Sequence, residues 1–549
     1  MTDDLNGGEH VVRALEALGV SYVFGVASVH NLPIVDAIER STSVQLIMMR
    51  HEQGAVHAAD AYARVSGKLG VALTSTGPGT ANAMGGLFEA NYHGSPVLLI
   101  TAQVPIAYYG SASGYVHEAE RQVPMLEQVT RATFSVRRTK DITDTLLRAA
   151  EAALRQPCRP TAVEVPIDLQ YETAPIADRR PIDLAPTCPS PESVARLAGF
   201  LSKARRPLLW VGSGIYESDG ADVLFAFAER LKAPIVTTHD GKGAFPESHS
   251  LSLGARAAAP AVRKLIADAD LVLALGNRFP MYETDYWDVQ IKGALVHVHS
   301  DPNVIGRAYQ PAFAIHADPG RTLHAVMERS DWMPSDPEWL VQVAAARDQA
   351  IAGVRASVGP DHAAICDSIR RHLPSDGVVV RDLTILAYTW GDRLLPIDVP
   401  RRALRPASSA IGPGVPFGIG AALGCSRPTV VIHGDGGIML SLGELATIAQ
   451  YRLPVIVCVF CDGGYGVLRL VESLTFGQRR SGVDMPGPDF ALVATGLGLP
   501  ATTVATSADF ERAFAAAIAR GGPALISVDM TGMQQPKMAQ HPGWHLGSR

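Results

Sequence analysis

Two carboxylates in the C-terminal part of the chain stand where apolar runs end, and they could bind a metal ion. The first, Asp435, lies in "VVIHGDGGIML", where an apolar run ends in glycines and a helical pattern begins near Ser441. Glycines at a strand-to-helix turn let backbone amides approach a phosphate, and a helix N-terminus favours its negative charge. A divalent cation held by phosphate oxygens needs further oxygen donors, and Asp435 can supply one.

The second carboxylate, Asp462, ends the next apolar run, "PVIVCVFCDGGYGVL". The interval from Asp435 holds a strand, a crossover helix and a return strand, so neighbouring parallel strands would bring both carboxylates to one sheet edge. A Gly-Asp-Gly turn alone is equally typical of an ordinary tight turn. Together with Asp462, the turn predicts a site for a metal ion and a diphosphate.

A third carboxylate, Glu52, stands in "MRHEQGAVHAADAYARVSG", between an apolar run and an alanine-rich helical stretch. An ionised carboxylate in a core is costly unless something binds it or it takes up a proton. Glu52 is therefore expected to have a partner, and a purely structural carboxylate is the alternative.

The elements that must position these carboxylates alternate between β-branched runs and helical patterns. This alternation predicts an α/β protein of three doubly wound parallel-sheet domains. The predicted bounds are 1–172 for the first domain, 190–332 for the middle domain and 358–532 for the third, with a tail at 533–549. The linkers are "APIADRRPIDLAPTCPSPES" and "DWMPSDPEW". Gly-Pro-Gly turns at 77–79 and 412–414 hint that the first and third domains have related folds.

The composition excludes several classes of protein. With 549 residues, 47% of them apolar and 19% charged, and a net charge of −6, the chain is typical of a multidomain globular protein and not of one that binds nucleic acid electrostatically. No apolar run has the length of a membrane span, and the N-terminus resembles no signal peptide, so we expect a cytoplasmic protein. Cys458 and Cys461 have redox-motif spacing, but strand packing is the favoured interpretation.

The chain resembles the thiamine diphosphate enzymes of the acetohydroxyacid (acetolactate) synthase, pyruvate oxidase and benzoylformate decarboxylase group. The resemblance runs from "ALEALGVSYVFGV" through "RHEQGAVHAADAYARVSG" and "TSTGPGTANAMGGL" to "GDGGIMLSLGELATIAQYRLPV" and "DGGYGVL". In that family, the glutamate matching Glu52 hydrogen-bonds N1′ of the cofactor's aminopyrimidine. It thereby stabilises the imino tautomer, whose 4′-nitrogen removes the thiazolium C2 proton. The resemblance implies that Glu52 is catalytic and that the cofactor is its partner.

The same resemblance implies thiamine diphosphate and Mg²⁺ as cofactors. In "GPGVPFGIGAALG", Val415 matches the apolar residue beneath the bend of the cofactor, and the Pro413 carbonyl matches the acceptor of the 4′-amino group. The implied metal ligands are Asp435, Asp462 and the main-chain oxygen of Gly464. Asp462 replaces the family's usual asparagine, which adds a negative charge. The implied cofactor-binding residues are Glu52, Pro78, Asn82, Pro413, Val415, Gly434, Asp435, Gly436, Gly437, Asp462, Tyr465 and Gly466.

Two further residues are candidates for the substrate pocket. Gln122 in "ERQVPMLEQVTR" matches a glutamine that faces the reaction centre in acetohydroxyacid synthases, and a surface-helix glutamine is the alternative. His30 in "VASVHNLP" could act in proton transfer on substrate oxygens, whereas a hydrogen-bonded structural histidine is as common.

Two departures from the family bear on the substrate. Tyr282 stands where the resemblance places an arginine for the second substrate's carboxylate, and Ile167 replaces a lysine. Loss of a fixed cation removes a carboxylate's strongest contact, so an aldehyde or thioester carbonyl is the expected acceptor. The leading hypothesis is an acetolactate synthase-like enzyme that decarboxylates a 2-oxo acid and ligates the resulting enamine to a carbonyl acceptor. The alternatives are a 2-hydroxyacyl-CoA lyase and a simple 2-oxo-acid decarboxylase.

The resemblance also implies a shared site. Family members place the pyrimidine on the first domain of one subunit and the diphosphate on the third domain of another, so a homodimer or homotetramer is expected. The middle domain has no decisive flavin signature, and FAD binding stays open. The tail "QQPKMAQHPGWHLGSR" is either a disordered end or a lid over the substrate.

Overall fold

The computed structural model describes residues 4–176, 182, 184–329, 332–477, 479 and 481–538. These residues contain three six-stranded sheets, in each of which all strands are parallel. The predicted α/β fold of three parallel-sheet domains is confirmed. Of the predicted tail, 539–549 lies outside the described residues, as do 177–181 and 183 of the first linker.

The first domain is built on a sheet of strand order β3-β2-β4-β5-β7-β6, and β1 pairs with β8 in an antiparallel ribbon. Its strands are β1 (Leu5–Asn6), β2 (Tyr22–Gly25), β3 (Gln45–Met48), β4 (Gly70–Thr74), β5 (Val97–Gln103), β6 (Ala132–Ser135), β7 (Thr161–Pro166) and β8 (Thr173–Ala174). Its helices are α1 (Gly7–Ala17), α2 (Leu32–Arg40), α3 (Glu52–Ser66), α4 (Pro78–His93), α5 (Gln122–Glu127), α6 (Ile142–Leu154) and α7 (Ile167–Tyr171). The central strands β4 and β5 are buried throughout because helices cover both faces.

The middle domain has the strand order β11-β10-β9-β12-β13-β14. Its strands are β9 (Pro207–Val211), β10 (Ile235–Thr237), β11 (Ser252–Gly254), β12 (Leu271–Leu275), β13 (Ala294–His299) and β14 (Phe313–His316). Its helices are α8 (Pro191–Leu201), α9 (Ala221–Leu231), α10 (Pro260–Asp268) and α11 (Pro319–Met327).

Helix α12 (Pro337–His372) joins the middle and third domains and bends at Gly359, which has a φ of 80° and precedes a proline. Before the bend, the Trp339 indole donates to the Pro207 carbonyl at 3.1 Å, and after it Ile365 lies in the core of the third domain. Helix α12 therefore occupies most of the segment between residue 332, where the predicted middle domain ends, and residue 358, where the predicted third domain begins. The predicted domain bounds stay predictions. The described start of the tail packs at this bend, where the Lys537 amide donates to the Ser357 carbonyl at 2.8 Å.

The third domain has the strand order β16-β15-β17-β18-β20-β19. Its strands are β15 (Val378–Arg381), β16 (Ala403–Leu404), β17 (Thr429–Gly434), β18 (Val455–Cys461), β19 (Ala501–Val504) and β20 (Ala524–Asp529). Its helices are α13 (Gly414–Cys425), α14 (Asp435–Ile438), α15 (Glu444–Gln450), α16 (Gly466–Phe476), α17 (Phe490–Gly496) and α18 (Ser507–Arg520), and a π-helical turn spans Ala387–Gly391. If the six strands of each sheet are counted along the chain, leaving out β1 and β8, this strand order equals that of the first domain. The equality agrees with the hint of related folds.

The first and third domains pack together through α3 and α13. These helices approach so closely that a Cβ on Gly420 would lie 1.9 Å from the Ala58 carbonyl oxygen. Residues of both helices share one buried apolar core. The start of α3, which carries Glu52, is thereby held against the third domain.

The two cysteines of the "CVFC" stretch lie in β18, Cys458 fully buried and Cys461 partly so. Burial raises the pKa of the Cys458 thiol and raises that of Cys461 to about 11. Both effects oppose thiolate formation, in agreement with strand packing. Across the described ranges, no helix combines the length and the apolarity needed to cross a bilayer.

Candidate active site

Asp435 ties together the turns that follow β17 and β18. One oxygen of its buried carboxylate accepts from the Gly436 amide at 2.9 Å, and the other accepts from the Gly463 and Gly464 amides at 2.7 and 3.1 Å. Burial raises the pKa of Asp435, and these amide donors act against that rise. Because β17 and β18 are neighbours with parallel register, their carboxyl ends lie at one edge.

Asp462 brings a second negative charge to the same edge. Burial raises the pKa of Asp462 to about 6, and the nearby charge of Asp435 adds to the rise. Arg469 is the neighbouring cation, but its Nη1 lies 3.7 Å from the Asp462 carboxylate. Two carboxylates with so little compensation fit a divalent cation.

The ligand set at this edge would be small. Nowhere in the described ranges do three or more His, Cys, Asp or Glu side chains form a cluster that could bind a metal ion. A cation here would be held by Asp435, Asp462 and the Gly464 carbonyl, and its remaining oxygen ligands would come from a bound diphosphate. This donor set suits Mg²⁺, which binds a few carboxylates together with phosphate oxygens.

Close neighbours crowd the glycines of the turn after β17, most tightly at Gly436. A Cβ on Gly436 would lie 2.8 Å from the Tyr465 ring, and a Cβ on Gly434 would lie 3.1 Å from Thr384. Likewise, a Cβ on Gly437 would lie 3.1 Å from the His433 ring. The bare backbone of this turn would let a diphosphate approach, as the sequence predicts. Nearby, Gly466 begins α16 and would bring a Cβ within 2.2 Å of the Asp462 carboxylate.

A buried aspartate that the sequence reasoning missed holds the Gly412–Gly414 turn. Asp382, just after β15, accepts from the Gly412 amide at 3.0 Å and from the Gly414 amide at 2.8 Å. The turn leads into α13, whose first hydrogen bond runs from the Phe417 amide to the Pro413 carbonyl at 2.8 Å. That carbonyl keeps a second lone pair for another donor. Val415 is fully buried at the start of α13.

Glu52 lies at the start of α3 among residues of the first domain. The Asn82 amide donates to the Glu52 carboxylate at 3.0 Å, and a Cβ on Gly79 would lie 3.1 Å from its other oxygen. Pro78 is exposed in the first turn of α4 beside them. Glu52, Pro78 and Asn82, which the resemblance assigns to the cofactor, therefore form one group.

Gln122 is buried, and both ends of its amide are occupied. Its oxygen accepts from the Gly77 amide at 2.9 Å and from the Thr80 hydroxyl at 2.9 Å, and its nitrogen donates to the Ala102 carbonyl at 3.1 Å. In this arrangement the side chain holds the turn before α4. Its predicted role at the reaction centre stays a prediction.

His30 is buried, and its ring lies 5.1 Å from the ring of His117, measured between centroids. Among the residues that the structure describes, its Nδ1 has no hydrogen-bond partner. Burial lowers the pKa of His30, and the charge of His117 lowers it further. The sequence reasoning missed His117, which has a left-handed φ of 63°, a conformation uncommon outside glycine. The His117 carbonyl packs against Gly77. Gly77 begins the Gly-Pro-Gly turn, whose last residue, Gly79, lies beside Glu52.

Glu52 and Asp435 belong to separate groups within one chain. In the described parts of the chain, no hydrogen bond or ion pair joins the residues around Glu52 to those around Asp435. The Glu444 carboxylate of the third domain accepts from the Arg50 and His51 amides just before Glu52, but Glu444 belongs to neither group.

Comparison with known proteins matches these domains to one family. Three family models match, described as the N-terminal TPP binding domain, the central domain and the C-terminal TPP binding domain of thiamine pyrophosphate enzymes, at residues 5–127, 194–326 and 387–528. The chain belongs to the thiamine pyrophosphate enzymes, whose cofactor is also called thiamine diphosphate.

Relatives of this chain carry two kinds of name. A probable 2-ketoarginine decarboxylase, AruI, from Pseudomonas aeruginosa is 33% identical over 95% of this chain and 94% of its own length. A probable acetolactate synthase large subunit from Methanocaldococcus jannaschii is 29% identical over 95% of this chain and 92% of its own. The acetolactate synthase isozyme 1 large subunit of Escherichia coli is 27% identical over 95% and 93%.

Proposed function

We propose that this enzyme decarboxylates a 2-oxo acid with thiamine diphosphate and Mg²⁺ and releases the product as an aldehyde. The observation that carries the proposal is that one TPP binding domain presents a carboxylate, Glu52, bound by Asn82, while the other presents the Asp435 and Asp462 edge. When bound, thiamine diphosphate supplies a ring that accepts the electrons released on carbon–carbon cleavage.

Each group of residues has a role in this proposal. Asp435, Asp462 and the Gly464 carbonyl would hold Mg²⁺. Glu52 would hold and exchange a proton at N1′ of the aminopyrimidine, and the Pro413 carbonyl would accept from the 4′-amino group. Further contacts to the cofactor are proposed for Pro78, Asn82, Val415, Gly434, Gly436, Gly437, Tyr465 and Gly466.

The aldehyde is favoured over a ligated product by what lies near the site. Tyr282, which stands in place of a fixed cation, packs against Tyr388 with ring centroids 5.6 Å apart. Tyr388 follows Thr384 by one helical turn, its amide donating to the Thr384 carbonyl at 3.2 Å, and Thr384 contacts Gly434. This aromatic pair lies near the turn after β17, and the cation beside it is Arg405, whose guanidinium lies 5.8 Å from the centroid of the Tyr388 ring and is already engaged by Asp392 at 3.1 Å.

The pair of imidazoles can supply the proton that either reaction consumes, and it favours the aldehyde where that proton goes to carbon and not to the alkoxide oxygen formed on ligation. Conversion of a 2-oxo acid carboxylate to an aldehyde and CO₂ consumes one proton, which must reach the carbon that loses CO₂. His30, with its free Nδ1, and the exposed His117 form a path for that proton from solvent. We therefore propose a role in proton transfer for His30, with His117 as its partner.

Ligation to a carbonyl acceptor is the second candidate, and the acetolactate synthases among the relatives favour it. Purified enzyme with thiamine diphosphate and Mg²⁺ would be incubated with a panel of 2-oxo acids and 2-hydroxyacyl thioesters, and the products identified by mass. We expect equal amounts of CO₂ and aldehyde. Hydroxyketo acids would establish ligation instead, and cleavage of the thioesters alone would contradict both candidates.

We propose further that two subunits share each site. Support comes from the separation of the Glu52 and Asp435 groups within one chain and from exposed apolar side chains near both groups, Val29 and Leu32 in the first domain and Met439 and Leu440 in the third. Mixing Glu52→Gln and Asp435→Ala chains tests this, because each mixed dimer would then hold one intact site. Random mixing would restore about one quarter of the activity, and sites within single chains would restore none.

A further inference from the structure

The backbone just before Glu52 is held by a glutamate of the third domain. One oxygen of Glu444 accepts from the Arg50 amide at 3.1 Å and from the His51 amide at 3.2 Å. These are the last two amides before α3, and their orientation sets the direction in which the helix starts. His51 is the N-cap residue, whose amide has no acceptor within a helix, so an external acceptor here fixes the geometry.

Glu444 is itself fixed on every side. It is only 2% exposed, and its second oxygen accepts from the Thr447 hydroxyl at 2.8 Å. A Cβ on Gly54, in the first turn of α3, would lie 2.5 Å from the oxygen that binds the two amides. The carboxylate therefore fits a space that only glycine leaves open, and it cannot move without losing its hydrogen bonds.

Neighbouring contacts join the same two elements. The Met48 amide at the end of β3 donates to the Tyr451 hydroxyl at 2.9 Å, and the Arg50 guanidinium donates to Gln450 at 2.6 Å. Helix α15 and the residue that follows it, Tyr451, thus contact the whole turn from β3 to α3. Glu444 is the buried centre of this contact, and the Arg50 side chain is its exposed rim.

We infer that Glu444 is a positioning residue for Glu52: it orients the start of α3 so that the Glu52 carboxylate points at the aminopyrimidine. The inference rests on the role proposed for Glu52. Glu444 belongs neither to the Asp435 and Asp462 edge nor to the proposed substrate pocket, so it acts through the backbone at residues 50 and 51. A displacement of about 1 Å at a catalytic group can cost about 100-fold in rate.

The test compares Glu444→Ala with Glu444→Gln as the matched control. Glutamine keeps an oxygen acceptor for the two amides, and the Thr447 hydroxyl can reverse to accept from its NH₂ group. In the loaded enzyme we expect the exchange of the cofactor's C2 proton to fall about 10- to 100-fold in Glu444→Ala and to stay within about threefold in Glu444→Gln. Affinity for Mg²⁺ and thiamine diphosphate should be unchanged, because Asp435 and Asp462 are intact.

A second readout needs no cofactor. In the unloaded protein, amide hydrogen exchange over residues 48–54 should quicken in Glu444→Ala and not in Glu444→Gln, with the rest of α3 unaffected. If Glu444→Ala does not fold, Gly54→Ala serves instead, since its methyl group must displace the Glu444 carboxylate. It should show the same local loss of protection and the same fall in C2 exchange.

Three results would overturn the inference: C2 exchange in Glu444→Ala within twofold of the parent, equal losses in the alanine and glutamine variants, or unchanged protection at residues 48–54. Glu52→Gln is measured alongside. If it too leaves C2 exchange unchanged, the proposed function fails. If only Glu52→Gln lowers it, the function stands and the positioning role of Glu444 falls.

Discussion

The first and third domains share one strand order but place different chemistry on equivalent turns. The helix after β3 begins with Glu52 in the first domain, and the helix after the equivalent strand β16 begins with Gly414 and Val415 in the third. The turn after β4 contains Ser75 in the first domain, and the turn after the equivalent strand β17 contains Asp435 in the third. The two helices α3 and α13 then pack against each other.

The comparison shows that the fold supplies positions and the side chains supply function. In both domains the carboxyl edge of the sheet brings the same two turns together, as is typical of ligand sites in doubly wound folds. The first domain has a carboxylate, Glu52, after β3 and a turn without a carboxylate after β4. The third domain has a turn without a carboxylate after β16 and a carboxylate, Asp435, after β17. The Gly-Pro-Gly turns that hint at related folds follow different strands, β4 and β16, and are not equivalent.

The largest effect is expected from replacing Asp435, a carboxylate proposed to bind the metal ion. Asp435→Ala should weaken Mg²⁺-dependent binding of thiamine diphosphate by more than the roughly 100-fold that follows loss of a side chain behind a metal ligand. Titration calorimetry measures this. Ser75→Ala, at the equivalent position of the first domain, is the control and should change Mg²⁺ dependence by less than about twofold. Equal losses in the two variants would remove the asymmetry between the domains.

A smaller effect is expected where the two equivalent helices touch. In Gly420→Ala the added methyl group meets the Ala58 carbonyl of α3, so we expect a loss of about 3 kcal/mol in the free energy of unfolding. Gly424→Ala, one turn further on α13, places its methyl group 3.3 Å from the nearest atom and should cost under about 1 kcal/mol. Denaturant unfolding compares them, and equal stabilities would contradict the close packing of α3 on α13.

The smallest effect concerns pH and the same helix pair. His57 on α3 packs edge-on against Phe417 of α13, and burial lowers the pKa of His57 to about 4. The unfolded chain takes up a proton near pH 6.5 and the folded chain only near pH 4, so stability is full above pH 6.5 and falls as the pH drops towards 4. The loss should be about 2 kcal/mol at pH 4.5. His57→Gln should lessen this dependence in denaturant unfolding, and an unchanged profile would contradict the assignment.

The sequence predicts the fold class well because buried parallel strands appear in it as continuous apolar runs. These runs end in turns that contain glycine and acidic residues. For the same reason it finds Asp435 and Asp462 at strand ends. Glu52 is identifiable because a lone charge between two apolar segments is conspicuous.

Other features depend on contacts between distant segments, which no local pattern records. Asp382 follows a strand as Asp435 does, yet only the structure reveals that it binds the amides of the Gly412–Gly414 turn. Glu444 looks like an ordinary helix residue until its contact with residues 50 and 51 is seen. Gln122 resembles a pocket residue by its surroundings in the sequence, whereas all its bonds are directed into the domain.

The central claim is that Glu52 activates the bound cofactor, and deuterium exchange at the C2 position of bound thiamine diphosphate tests it most directly. Acid-quenched samples of the parent and Glu52→Gln enzymes, both saturated with cofactor and Mg²⁺, would be compared by proton NMR. The account predicts that exchange slows by about 100-fold or more in Glu52→Gln while the cofactor stays bound. Exchange within twofold of the parent rate would contradict it.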